Sequence, residues 1–132
     1  MGQPAAKQGD SVVGVDIHII MIPSPSGAVP TPLPHPFNGK IMSGCSTDVK
    51  IQGMGAATKD SVAVNNPPHI PQGGPFQKPP SNQGKVLMGS TTVFINGKPA
   101  ARVGDQVVTC NDPTDAPTCT IIPPGTLTVL IG

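Results

Sequence analysis

The feature that most constrains this chain is a nine-residue turn that it uses twice. Gly97 to Asp105 reads GKPAARVGD and Gly2 to Asp10 reads GQPAAKQGD, with Lys7 standing where the later copy has Arg102. Ahead of the later copy, Thr92, Phe94 and Asn96 alternate with Val93 and Ile95, which predicts a two-faced strand ending at the sharp-turn dipeptide Asn96-Gly97. Pro99 then fixes its own backbone angle, two alanines turn with almost no side-chain bulk, and Arg102 and Asp105 are spaced to pair across the bend. A weaker third copy, Thr47 to Asp60, keeps Val49, Ile51, Gly53, two alanines and a final aspartate, with a bend one residue shorter. Asp10, Asp60 and Asp105 are then 50 and 45 residues apart, a period typical of internal structural repeats.

The first copy has no strand before it, while the chain ends in Thr128-Val129-Leu130-Ile131-Gly132, which resembles Thr92 to Asn96. Joining the ends restores a whole unit. The expectation is therefore three units around a pseudo-threefold axis, with adjacent termini and strand edges paired around the ring. On that reading Val49, Ile51, Val93, Ile95, Val129 and Ile131 line the packed interior.

Composition supports a small β fold and removes several functions. Glycine and proline number 16 and 18 in 132 residues, aromatics are 2%, and there is no Trp or Tyr, so a conventional large core is not expected. All seven acidic residues are aspartates, glutamate is absent, and prolines interrupt most windows. That predicts short strands and loops with little or no helix. A net charge of +1 with 11% charged residues offers no polyanion-binding surface and excludes nucleic acid as the expected partner. No apolar run approaches a membrane span, and Met1-Gly2-Gln3-Pro4 does not begin a signal peptide. The chain reads as one domain, 1–132, made in the cytoplasm and exported by another route. Val12 to Ile22 has an apolar strand pattern. Pro23 to Pro36 and Asn65 to Ser81 are proline-rich and are read as rigid excursions from one side of the body.

Each of the three histidines, His18, His35 and His69, falls in an excursion. His18 lies 8 residues after Asp10, His69 lies 9 after Asp60, and Cys110 lies 5 after Asp105. Three excursions from three related units must converge on the axis, where their ligands would meet. With His35 added, the set is three nitrogens and one sulfur, suited to tetrahedral Zn2+. Cys119 is a rival sulfur ligand, and a Cys110–Cys119 disulfide is the alternative in an oxidising setting. Cys45 reads as a small buried residue. Asp16, two residues before His18, is read either as a partner behind the ligands or as a solvated carboxylate. A four-ligand site leaves no position for an activated water, and neither an HExxH helix nor a Walker motif is present, so no catalytic residue is assigned.

PAAR in the third unit, PAAK in the first, and three histidines with a cysteine between units together resemble the PAAR-repeat family over nearly the whole chain. The second unit, Gly55-Ala56-Ala57-Thr58, departs most. The resemblance implies a small cone of short strands and proline-rich loops. Its base would dock on the trimeric spike of a contractile injection machine, one tip per trimer, and its apex would hold zinc through His18, His35, His69 and Cys110. A threefold base can match a threefold partner although the tip is a single chain, and base strands could add to the spike's own. The expected function is a structural puncturing tip that focuses the force of contraction on a target membrane, in a type VI secretion system or a free phage-tail-like particle. A bare tip is expected, without an attached toxin domain. The rival readings are an adaptor that fastens a separate effector to the spike, and a zinc hydrolase.

Overall fold

The computed structural model describes residues 2–122 and 126–132, the stretch 126–128 as backbone only. Among these residues the chain is all β. In order the strands are β1 (Gln3–Ala5), β2 (Ser11–Ile22), β3 (Val29–Ser43), β4 (Lys50–Ile51), β5 (Met54–Gly55), β6 (Val62–Asn65), β7 (Gln83–Val86), β8 (Phe94–Ile95), β9 (Lys98–Pro99), β10 (Gln106–Thr109), β11 (Ala116–Ile121) and β12 (Thr126–Ile131). Six of them close into an antiparallel barrel in the order β10-β11-β2-β3-β6-β7. The other six form three two-stranded ribbons, β1–β12, β4–β5 and β8–β9.

The ribbons carry the repeat. Ile51 pairs with Met54, Ile95 with Lys98 and Ile131 with Gln3, so the ribbon of the first unit is assembled from the two chain ends. In the two uncut ribbons, Gln52-Gly53 and Asn96-Gly97 all have positive φ, as a two-residue hairpin turn requires. The alanine turns then close a ring. The N–H of Ala6 donates to the carbonyl of Ala101 (3.0 Å), that of Ala101 to Ala57 (2.9 Å), and that of Ala57 to Ala6 (3.0 Å). All three alanines are fully buried, and only a methyl-sized side chain lets three backbones approach one axis this closely.

The bend after each ring alanine corrects the sequence alignment. In the first unit the Lys7 N–H donates to Asp10 Oδ2 (2.9 Å), and in the third Arg102 N–H donates to Asp105 Oδ2 (2.7 Å). In the second unit Thr58 N–H donates to Ser61 Oγ (2.9 Å). Ser61, not Asp60, therefore holds the aspartate position, and Asp60 (φ 73°) stands where the other units have Gly9 (φ 95°) and Gly104 (φ 96°). The bend is not shortened. A side chain tolerant of left-handed backbone replaced the glycine, and a hydroxyl replaced the capping carboxylate. The ion pairs Lys7–Asp10 (2.7 Å) and Arg102–Asp105 (3.0 Å) form as spaced.

Two buried layers follow the threefold pattern. One contains Ala5, Ala56 and Ala100 with Ile51, Ile95 and Ile131. The next contains Ala6, Ala57 and Ala101, then Val12, Ala63 and Val107, then Ile41, Val86 and Ile121, with Phe37 and Cys119 above. Three of the six residues assigned to the interior are not there. Val49, Val93 and Val129 are 39%, 37% and 39% exposed; Val49 and Val93 stand just ahead of the two-residue strands β4 and β8, and Val129, although within β12, is equally open to solvent.

The first proline-rich segment is a strand rather than a loop, and β2 and β3 are long rather than short. They pair through twelve consecutive positions, from Ser11↔Lys40 to Ile22↔Val29. Pro30, Pro32, Pro34 and Pro36 occupy alternate, exposed positions of β3, while Leu33, His35, Phe37, Gly39 and Ile41 turn inward. A proline joins a ladder only where its nitrogen points away from the partner strand, and a run of them leaves a free edge that cannot recruit another chain. β6 pairs β3 only over Gly39 to Ser43, so the prolines occupy the stretch that β6 does not cover.

Candidate metal centre

Strand alternation brings the first two side chains inside. Asp16 and His18 are two residues apart on β2 and both face inward, 0% and 1% exposed. His35, opposite Asp16 in the β2–β3 register, enters from the other arm and is 3% exposed. His69 arrives on the irregular segment after β6, and its side chain is 1% exposed. With the register of the second unit corrected, His69 lies 8 residues after Ser61, as His18 lies 8 after Asp10; the two are repeat equivalents. Cys110, directly after β10, is 4% exposed. Two of the three histidines are thus on strands and not in excursions.

The three imidazoles converge. Ring centroids are 4.9 Å apart for His18–His69, 5.4 Å for His18–His35 and 5.6 Å for His35–His69. Cys110 Sγ lies 3.7 Å from His18 Nε2. Phe76, from the second proline-rich segment, covers the rings of His18 and His35 at 5.6 and 5.5 Å. That segment bonds back onto β2, with Met21 N–H donating to the Pro75 carbonyl (2.9 Å) and Gln77 N–H to the Ile19 carbonyl (2.9 Å).

Hydrogen bonds set each ring. His35 Nδ1 donates to the Leu33 carbonyl (2.9 Å), which leaves Nε2 as a bare lone pair, buried and without any partner. His18 Nδ1 is likewise buried without a hydrogen bond, the nearest carboxylate oxygen being Asp112 Oδ2 at 3.9 Å. Asn65 Nδ2 donates to His69 Nδ1 (3.3 Å), and Asn82 Oδ1 accepts from the His69 backbone N–H (2.8 Å), so the Nε2 edge faces Asp16 Oδ2 at 2.8 Å. Burial, followed by the His69 imidazole, lowers the pKa of His18 and keeps it neutral. Burial, then the Asp16 carboxylate, raises the Cys110 thiol, so a thiolate there needs a cation to form. Buried nitrogens without a partner are costly in a protein interior, and a divalent ion is the partner they fit. Asp16, His18, His69 and Cys110 present ligand atoms all within 4.8 Å of one another.

Residues 77–132 match the family model described as PAAR motif. That stretch of the chain is similar to the PAAR motif. No curated protein matches the chain. The matched stretch holds the third unit with its Pro99-Ala100-Ala101-Arg102 turn and Cys110, whereas the three histidines lie before it.

Cys119 is set apart from the donors. It is fully buried in the barrel wall opposite Gly14 and Val107, where its thiol contacts Thr109 Oγ1 (3.4 Å), and burial pushes its pKa up to about 11. All three cysteines are free thiols, so the alternative Cys110–Cys119 disulfide is not formed, and Cys45 is half-buried rather than buried. Sequence reasoning missed the polar frame: Asn65 and Asn82 around His69, and Thr109, Asn111 and Thr118 around Asp16. Only Asp16 carried a signal, through its two-residue spacing from His18, and it is buried rather than solvated.

Proposed function

We propose that this chain is the puncturing tip that caps the trimeric spike of a contractile injection system. PAAR-type proteins associate with spikes, and the observation that carries the finer reading is the threefold apolar base. Around the buried Ile51, Ile95 and Ile131, Val49, Val93 and Val129 expose nearly equal surface, and Phe94 and Leu130 add exposures of 57% and 60%. A surface of that symmetry fits the end of a trimer, which offers the same apolar contact three times.

At the opposite end, His18, His35, His69 and Cys110 would hold a zinc ion. The bare Nε2 of His35 supports this, together with His18 Nε2 at 3.7 Å from Cys110 Sγ and a thiol that burial disfavours as a free anion. Bound there, zinc would tie β2, β3 and the segments after β6 and β10 at a point too narrow for an apolar core. The role is mechanical, and no bond is made or broken.

The test is to mix the chain with the trimeric spike of its own machine and measure the mass of the complex. One chain per trimer is expected, and a three-to-three complex would overturn the reading. Val49→Asp with Val93→Asp should abolish binding without unfolding the chain, because both side chains are already partly in water.

A further inference from the structure

We infer that Asp16 is itself a donor to the metal, through Oδ2, alongside the three histidines and Cys110. The inference rests on the metal reading above and adds to it a ligand that the family resemblance does not supply.

The two carboxylate oxygens of Asp16 have different surroundings. Oδ1 accepts from the Thr109 hydroxyl, from Thr118 Oγ1 (3.1 Å) and from Asn111 Nδ2 (3.4 Å), with Cys119 Sγ at 3.8 Å. That oxygen is saturated by residues of β10, β11 and the connection between them. Oδ2 meets only groups of the candidate centre, His69 Nε2 at 2.8 Å and Cys110 Sγ at 3.5 Å. A carboxylate that served only to buttress the barrel wall would need nothing on its second oxygen but water or a neutral donor. Here the second oxygen is aimed at the point where the imidazoles and the thiol meet.

Spacing agrees with shared ligation. With Asp16 added the ion has five donors, and zinc bonds of about 2.0–2.3 Å then place neighbouring ligand atoms roughly 2.8–3.7 Å apart. Cys110 Sγ stands 3.5 Å from Asp16 Oδ2 and 3.7 Å from His18 Nε2, so sulfur, oxygen and nitrogen are already close to the separations that one ion would impose. Asp16 Oδ2 and His69 Nε2, at 2.8 Å, are hydrogen-bonded and open slightly to admit it.

Charge favours a carboxylate at this point. Three neutral imidazoles and one thiolate leave a divalent ion with a net charge of +1, and every one of these side chains is at most 4% exposed. An uncompensated charge in such a place is costly, whereas the Asp16 carboxylate, 0% exposed, brings the centre to neutrality. The same count explains how a buried aspartate with no lysine or arginine among its hydrogen-bond partners is tolerated.

The experiment is a crystal structure of the zinc-loaded wild-type chain together with zinc affinities of the wild type and Asp16→Asn. A carboxylate oxygen of Asp16 at about 2.0–2.2 Å from the ion is expected. The variant, which keeps an acceptor for Thr109 and Thr118, should lose more than the roughly 100-fold in affinity that removal of a residue behind a ligand costs. An ion held only by the histidines and Cys110, with both oxygens of Asp16 beyond bonding distance, overturns the inference even if Asp16→Asn fails to fold. A wild-type chain that takes up no zinc overturns the metal reading itself and this inference with it.

Discussion

The two ends of the barrel are built on opposite principles. At the ribbon end the three units agree in backbone: the alanine ring, the bend and the layers of small and aliphatic residues recur around one axis. At the other end the three hairpins diverge. The β2–β3 hairpin runs through twelve pairs, while β6–β7 has three and β10–β11 three, and the donors come unequally from them. The difference teaches that symmetry is kept where a shared core demands it. It is abandoned where three imidazoles, the Cys110 thiol and the Asp16 carboxylate come together. Small residues hold the first end by burial and backbone bonds, and polar side chains hold the second by a network that lacks an apolar core of its own.

The strongest attack on that comparison is metal removal. Chelation of the zinc-loaded chain should free the amides of residues 15–35 and 67–81 to hydrogen exchange while those of Ala6, Ala57 and Ala101 stay protected, with a clear fall in melting temperature. Uniform loss of protection would show one cooperative body and end the distinction between the two regions. Next in size are core truncations at equivalent positions of the ribbon end. Ile41→Ala and Ile121→Ala, both at most 1% exposed, should each cost about 2–5 kcal/mol in chemical unfolding. If the symmetry governs energy as well as shape, the two values agree within about 1 kcal/mol, zinc or no zinc.

The ribbon end was legible because its physics is local. Pro-Ala-Ala with a capping Asp at fixed spacing specifies a bend by itself, and a C-terminal TVLIG missing from the start of the first unit points to closure. The second unit misled because Asp60 mimics the capping aspartate one position early, and only the backbone shows that Ser61 Oγ makes the bond. At the far end the sequence pointed to His18, His35, His69 and Cys110, and the structure groups the ligand atoms of His18, His69 and Cys110 with Asp16, the His35 ring standing beside them. The polar frame was not legible, since Asn65, Thr109 and Thr118 are distant in sequence from what they orient. The prolines of β3 read as a loop because alternation of proline with inward residues is a strand pattern only if one edge is to stay empty.

Smaller substitutions sharpen the comparison within the ribbon end. Gly9→Ala and Gly104→Ala place a Cβ on left-handed backbone and should each cost about 1–2 kcal/mol. Gly9 has nothing within 4 Å of that Cβ, so its cost would be purely conformational. Asp60→Gly should instead be neutral or stabilising by under about 1 kcal/mol, since it restores the residue that the other two units use. A large loss there would mean that the Asp60 side chain has taken on a role its equivalents lack.

The smallest expected effect is acid sensitivity of the metal-free chain. Burial lowers the pKa of His18 from its ordinary value of 6.5, so the unfolded chain takes up that proton more readily than the folded one. The neutral, buried His18 therefore contributes its full stability above about pH 6.5, and the contribution is lost as pH falls from there toward the lowered folded value. Unfolding of the metal-free chain as a function of pH should show this shallow decline, and His18→Asn should flatten it. A decline that survives His18→Asn unchanged would remove His18 as its source and end the expectation that this residue carries the acid sensitivity.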